Sequence, residues 1–254
     1  MPKRWMPCVL AWMLAQHAYA GTGTGNKDWH VPAGNGVFAA AARNLCKTSP
    51  PEVADAVVWS PDRRQKIVLR VTADGDTATF AIDGNGRETP IDTAAWPCPE
   101  VAWAADSTLF FANYSGGGAV GTYGVAAYRI GAGKTEKIDI ASAVRRDFRR
   151  RYPKCFSPET PNVAGVAWSA SGTRVMVAAE VLPHANCDNM GTFNLYEVSV
   201  PEGRIVRRIP QLRAKASFEY MLGPELRAAD DRCFSRPGWC NIPALHASSM
   251  ARQR

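Results

Sequence analysis

The feature that most limits how this chain can fold is an internal repeat. Three stretches align on one pattern, at 57–91, 101–140 and 166–209. Each opens on an apolar-x-Trp-Ser/Ala step, at Trp59, Trp103 and Trp168, and passes two or three turn formers (Pro61-Asp62, Ala105-Asp106, Ala170-Ser171-Gly172) before a β-branched or aromatic run. A variable loop, an alternating strand, a Gly-containing turn and a closing strand that ends in Ile follow each time. A fixed period settles architecture before any single residue does, because each repeat is one supersecondary unit that buries its faces only against its neighbours. The alternation in Thr77-Ala78-Thr79-Phe80-Ala81-Ile82 and in Phe193-Asn194-Leu195-Tyr196-Glu197-Val198 has a period of two, which predicts half-buried antiparallel strands. The turns at Asp83-Gly84-Asn85-Gly86, read as type I′, at Gly131-Ala132-Gly133 and at Pro201-Glu202-Gly203 supply the hairpin connections.

The spacing is uneven in one place. Trp59 and Trp103 are 44 residues apart, while Trp103 and Trp168 are 65 apart. The excess is the length of the segment 141–161, which carries Arg145, Arg146, Arg149, Arg150, Arg151 and Lys154 around Val144 and Phe148. Apolar residues four apart among cations predict a short basic helix inserted between two repeats.

The run Val58-Trp59-Ser60-Pro61-Asp62, echoed by Ala102-Trp103-Ala104-Ala105-Asp106 and Ala167-Trp168-Ser169-Ala170-Ser171-Gly172, resembles the W-S-P-D-G turn of TolB-like and WD-type β-propeller repeats. The resemblance covers about half the chain. It implies an all-β fold, a propeller-like array of antiparallel four-stranded blades, in which the Trp and the turn are structural, so it transfers no site residue. Closed propellers have at least four blades and three are readable here. Residues 21–56 and 210–254 would have to supply a degenerate blade, or the units pack as an open stack. Within those ends, 35–46 reads as helical because of its alanines, and 224–230 reads as a short helix with Pro in its first turn.

The opening MPKRWMPCVLAWMLAQHAYAG has a cationic start at Lys3 and Arg4, an apolar run over 5–14 and the small-x-small triplet Ala18-Tyr19-Ala20. That order predicts a signal peptide over 1–20, cleaved after Ala20, and a periplasmic or secreted single domain over 21–254. The apolar run is shorter than the roughly 20 residues a membrane span needs. Without Lys3 and Arg4 the net charge falls from +7 to +5, which does not announce a nucleic-acid binder.

An oxidising compartment changes the meaning of the cysteines. The mature chain holds Cys46, Cys98, Cys155, Cys187, Cys233 and Cys240, an even count that suggests disulfides. Sequential pairing, Cys46–Cys98, Cys155–Cys187 and Cys233–Cys240, is the expectation among fifteen arrangements. No pair has the close C-x₂₋₄-C spacing of a zinc site, and neither a metal nor a cofactor is expected.

Several constellations invite chemistry and are explained more simply. Gly131-Ala132-Gly133-Lys134-Thr135 ends like a P-loop, but Tyr128 stands where the first glycine must be, and a strand follows where a helix must begin, so it reads as a hairpin turn. The acidic turns at 74–76 and 83–88 lack the twelve-residue spacing of a calcium loop. The stretch 113–118, Asn113-Tyr114-Ser115 and three glycines, reads as a loop tip of the kind that meets ligands. The loop 182–192 concentrates His184, Cys187 and Asp188. A Cys-His nucleophile there would need a free thiolate, which a disulfide removes.

The preferred reading is therefore an exported, non-enzymatic binding protein of the bacterial envelope. Its contacts are expected from the loops 113–124 and 182–192 and the basic insert, with Arg145, Arg146, Arg149, Arg150, Tyr114 and His184 touching a protein or anionic partner. The competing reading is a periplasmic hydrolase or lyase on the same scaffold, with His184 and Asp188 in its site.

Overall fold

The computed structural model describes residues 28–48, 55–72, 74, 76–93, 99–115, 122–131, 133–156 and 159–229. The segment 1–20, expected to be a signal peptide, and Cys98, Cys233 and Cys240 lie outside the described residues.

Two short strands come first, β1 (Trp29–His30) and β2 (Arg43–Asn44), then the one-turn helix α1 (Leu45–Thr48). A first antiparallel meander follows: β3 (Ala56–Trp59), β4 (Lys66–Val71), β5 (Thr77–Ile82) and β6 (Glu88–Ile91). The second is β7 (Glu100–Trp103), β8 (Leu109–Ser115), β9 (Tyr123–Gly131) and β10 (Lys134–Ile138). Helix α2 (Ser142–Arg151) and a 3₁₀ turn (Pro153–Cys155) lead to the third: β11 (Asn162–Ser169), β12 (Arg174–Glu180), β13 (Phe193–Ser199) and β14 (Ile205–Pro210). Helices α3 (Gln211–Phe218) and α4 (Pro224–Ala228) complete the described chain. The fold is thus mostly β, in antiparallel sheets. The second and third sheets each gain a fifth strand from the N-terminal segment: β2 pairs with β7, and β1 with β11.

Alternation assigns the two faces of each sheet, because residues opposite one another across a ladder share a face. In the first sheet Val58, Ile67 and Ala81 are in register, and they bury against Trp103, Phe110 and Tyr128 of the second. The opposite face of the second sheet, with Phe111 and Ala127, packs on Trp168, Val175 and Val198 of the third. The remaining face of the third, with Met176, Ala178 and Leu195, is covered by Phe218 and Leu226 of the C-terminal helices and by Phe38. The order is first sheet, second sheet, third sheet, helices.

The repeated Trp sets this stacking. Trp168 donates its indole N–H to the carbonyl of Ala102 (3.0 Å), and Trp103 donates to that of Val58 (3.4 Å). Each acceptor is the residue just before the preceding repeat's Trp, so one contact recurs at both junctions. A buried indole needs such a partner for its N–H. The turn after each Trp recurs as well. Arg63 (φ 59°), Ser107 (φ 64°) and Gly172 (φ 70°) hold equivalent left-handed positions and donate their amides to Ser60, Ala104 and Ser169. The Ser107 hydroxyl accepts the Asp62 amide of the preceding turn (3.1 Å), so adjacent turns touch.

Gly165 fixes how closely the second and third sheets approach. A Cβ there would lie 2.7–3.0 Å from the Phe111 ring. The register of β11 shifts between Gly165 and Ala167, and Asn113 satisfies the displaced backbone: its Oδ1 accepts the Gly165 amide (2.6 Å), while its Nδ2 donates to the Gly165 carbonyl (2.9 Å).

Three expectations require correction. Residues 35–46 are not a helix, since only Leu45–Thr48 is helical. Tertiary bonds override the alanine propensity: Glu100 accepts the amides of Val37 and Phe38, Ala39 bridges to Leu222, and Ala40 donates to Met221. Residues 113–115 are not a loop tip but the end of β8, with Asn113 fully buried. The turn at 83–86 is not type I′, which needs two positive φ values; only Gly86 has one, and Asp83 Oδ1 takes the amides of Asn85 and Arg87 instead. Elsewhere Gly131 pairs with Lys134 across a hairpin, Pro224 opens α4, and Val144 and Phe148 are the buried residues of α2.

Candidate functional site

The basic helix is held rigidly by residues that are not basic. Val144 and Phe148, fully buried and one turn apart, insert α2 between the second and third sheets, where Phe148 packs on Tyr152 and Phe156. Asp139 accepts the amides of Ala141 (3.0 Å) and Ser142 (2.9 Å), so two orphan donors of the first turn are satisfied. Burial opposes the charge on this carboxylate, but those amides, the Ser142 hydroxyl and Arg145 outweigh it and hold Asp139 below its ordinary range. Asp147 clamps the middle. It accepts Arg150 (3.2 Å), Arg151 (2.8 Å) and the Tyr196 hydroxyl of β13 (3.1 Å), and these bonds overcome burial to keep it ionised. The Arg149–Arg151 run sits at the negative end of the helix dipole, where cations are favoured.

The far end of the insert is tied to the loop between β12 and β13 by the disulfide Cys155–Cys187, as the sequential pairing predicts. Cys46 is also disulfide-bonded. Leu182 and Ala185 of that loop are buried in the core that receives α2. His184 and Asp188 remain exposed on it. Two candidate contact regions, the basic insert and the loop 182–192, are therefore one connected surface.

Beside the N-terminal half of α2 are two clefts that share Lys137, Ile138 and Asp139. One, of about 330 Å³, lies between Tyr114 and Arg145 over the apolar floor of Val125, Ala126 and Ala141. The other, of about 320 Å³, has Arg146 and Ser142 on one side and Glu202 and Gly203 on the other. Tyr114 and Arg145, distant in sequence, thus line one cleft, and Arg146 lines the adjoining one. Arg149 and Arg150 do not line either cleft; Arg149 donates to the Phe156 carbonyl (3.4 Å) and Arg150 pairs with Asp147. Neither Arg145 nor Arg146 forms an ion pair with a carboxylate among the described residues, within 4.0 Å.

Among the described residues no group of three or more His, Cys, Asp or Glu side chains is arranged to hold a metal ion. The buried carboxylates are spent on structure. Glu100 accepts two backbone amides and Asn113 Nδ2 (2.9 Å), and Glu197 is bracketed by Arg174 and by Arg207 (3.0 Å). Glu180, 1% exposed, takes one hydrogen bond from Asn162 Nδ2 (2.9 Å); burial pushes its carboxyl up to about 8, and Glu225 adds to the effect. None of the three lines either cleft.

Sequence reasoning missed Asp139, Asp147 and Lys137. Asp139 could have been found as an acidic residue just ahead of Ala-Ser at a helix start. Asp147 looked like one acid diluted among arginines, and its role depends on Tyr196, 49 residues away.

No family model and no curated protein matches the chain. Among the described residues no helix is long and apolar enough to cross a membrane.

Proposed function

We propose that this chain is an exported, non-catalytic binding protein that holds an anionic or protein partner on the exposed side of α2, the two clefts at its start and the stapled loop 182–192. The observation that carries the reading is the pair Arg145 and Arg146, charged, with no ion pair to a carboxylate within 4.0 Å among the described residues, and mounted on a helix locked from beneath by Val144, Phe148, Asp139 and Asp147. Preorganised arginines beside an aromatic side chain are the composition of interface hot spots, since they lose little conformational entropy on contact. Tyr114 supplies that aromatic in the cleft it shares with Arg145. The scaffold, in this reading, is propeller-like. The recurring Trp-to-carbonyl bond and the consecutive four-stranded meanders support it. The envelope location rests on the tripartite start of the sequence.

The test is capture of partners from bacterial envelope extracts by the mature protein and by the Arg145→Ala, Arg146→Ala, Arg149→Ala triple variant. The expected result is a partner held by the first, lost by the second and released by raised salt, because exposed charges are screened within about 8 Å at physiological ionic strength. The same partners on both proteins would remove the basic insert from the account.

A further inference from the structure

The end of α2 that lines neither cleft lies against the edge of the third sheet, where β14 is the last strand. Cross-strand register puts Arg208 directly opposite Tyr196, and Asn194 is two residues before Tyr196 on the same face, the face that the Tyr196–Asp147 bond fastens to α2. Asn194 is 2% exposed, yet its Nδ2 finds no acceptor at hydrogen-bond geometry among the described residues. A buried donor without a partner is costly and native interiors keep few, so one that persists points to a group supplied from outside the fold. Beside it is the Tyr152 hydroxyl. Burial pushes this hydroxyl up against the pull of the Asn194 amide, Arg208 and Arg151, so it stays protonated and is a second donor. Arg151 grips Asp147 through Nε (2.8 Å) and Nη2 (3.4 Å), which leaves Nη1 unused. Arg208 forms no ion pair with a carboxylate within 4.0 Å among the described residues.

We propose that Arg208, Arg151, the Tyr152 hydroxyl and the Asn194 amide form a binding site for a phosphate monoester. All four groups are donors, and charge selects the dianion. Arg150, Arg151 and Arg208 stand against the single carboxylate of Asp147, a surplus of two positive charges, while Glu180 and Glu197 lie on the opposite face of the sheet with Phe193 and Met176. A phosphate monoester carries about −1.5 to −2 at neutral pH and offers three acceptor oxygens, so it meets both the surplus and the donor set. A carboxylate or a sulfate ester brings a single charge. Guanidinium groups suit the phosphate further, because their paired N–H donors match two of its oxygens at once. The carbonyl end of α2, which alone would repel an anion, is covered by the Arg149–Arg151 run. The site does not rest on the Arg145 and Arg146 pair, so the two readings stand or fall separately.

Calorimetric titration of the purified protein with methyl phosphate and methyl sulfate, tetrahedral groups that differ by one charge, tests the proposal. The expected result is binding of methyl phosphate, with methyl sulfate about ten times weaker, and a loss of about ten- to hundred-fold for methyl phosphate in Arg208→Ala and in Asn194→Ala. Should Asn194→Ala fail to fold, Arg208→Ala and Tyr152→Phe decide. Inorganic phosphate and vesicles containing phosphatidic acid, titrated in parallel, show whether a free ion or a lipid headgroup is the tighter source, and Arg208→Ala must weaken whichever binds. Absence of methyl phosphate binding, equal binding of the two esters, or an unchanged affinity in Arg208→Ala overturns the proposal. So does binding that survives in Arg208→Ala and vanishes in the Arg145→Ala, Arg146→Ala variant, which would place the anion in the clefts.

Discussion

Glu180 gives the fold a pH dependence that can be worked out in advance. Glu180 is 1% exposed and its carboxyl has one side-chain donor, Asn162 Nδ2; Asn162 is itself fixed through its Oδ1, which accepts the Tyr123 amide at 2.9 Å. The charged groups that bear on this region are acidic: Glu225 acts on Glu180, and Glu225 and Glu100 both act on Tyr123. Burial raises the carboxyl from an ordinary 4.5 to about 8. Between those values the folded protein keeps a proton that the unfolded chain has released. Stability is therefore fullest below the unfolded value and falls with rising pH, by about 1.4 kcal/mol for each unit of that window. The loss amounts to several kcal/mol by pH 8, a large share of the 5–15 kcal/mol typical of a domain. Urea unfolding at pH 5, 6, 7 and 8 on the unaltered protein and on Glu180→Gln measures it, since Gln keeps the acceptor for Asn162 and cannot ionise. The difference between the two proteins should widen with pH in the variant's favour. Parallel curves, or a difference that narrows, refute the argument.

Two other outcomes follow from the packing. Gly165→Ala places a methyl against the buried Phe111 ring and should cost about 1–3 kcal/mol or more, measured by urea melts, with partial recovery in Phe111→Leu. Joint replacement of Cys155 and Cys187 by Ser opens a loop with a sequence separation of 32 and should lower stability by about 3–4 kcal/mol on the chain-entropy account; equal unfolding midpoints would show that Val144 and Phe148 hold the insert unaided.

Local periodicity carried much of the β structure. The alternation at 77–82 and 193–198 coincides with β5 and β13, although 193–198 is buried on both faces and not half-buried as its polar positions suggest, and the turn formers after each Trp hold the equivalent left-handed positions at Arg63, Ser107 and Gly172. These signals were legible because each depends on residues a few positions apart. The alanines at 39–42 misled for the converse reason: propensity favours a helix by tenths of a kcal/mol per residue, while Glu100 and Met221, distant in sequence, bind the backbone there. Asn113 misled in the same way, since a turn-forming residue beside three glycines says nothing of Gly165 across the sheet interface. The candidate site was legible as a set of side chains and not as a place. That Tyr114 and Arg145 share one cleft follows from the junction of β10 with α2, which no local pattern encodes.

The pairing of β1 with β11 joins residues about 140 positions apart. During synthesis, Trp29 and His30 emerge early yet find their ladder partners, Ser169 and Trp168, only after two meanders and the basic insert have followed them. The first strand of the chain can consequently be seated in the third sheet only once β11 is present. Such long-range closure is slow to form, and it works as a latch: the N-terminal segment crosses the second and third sheets and converts a row of neighbour-to-neighbour contacts into a tied loop.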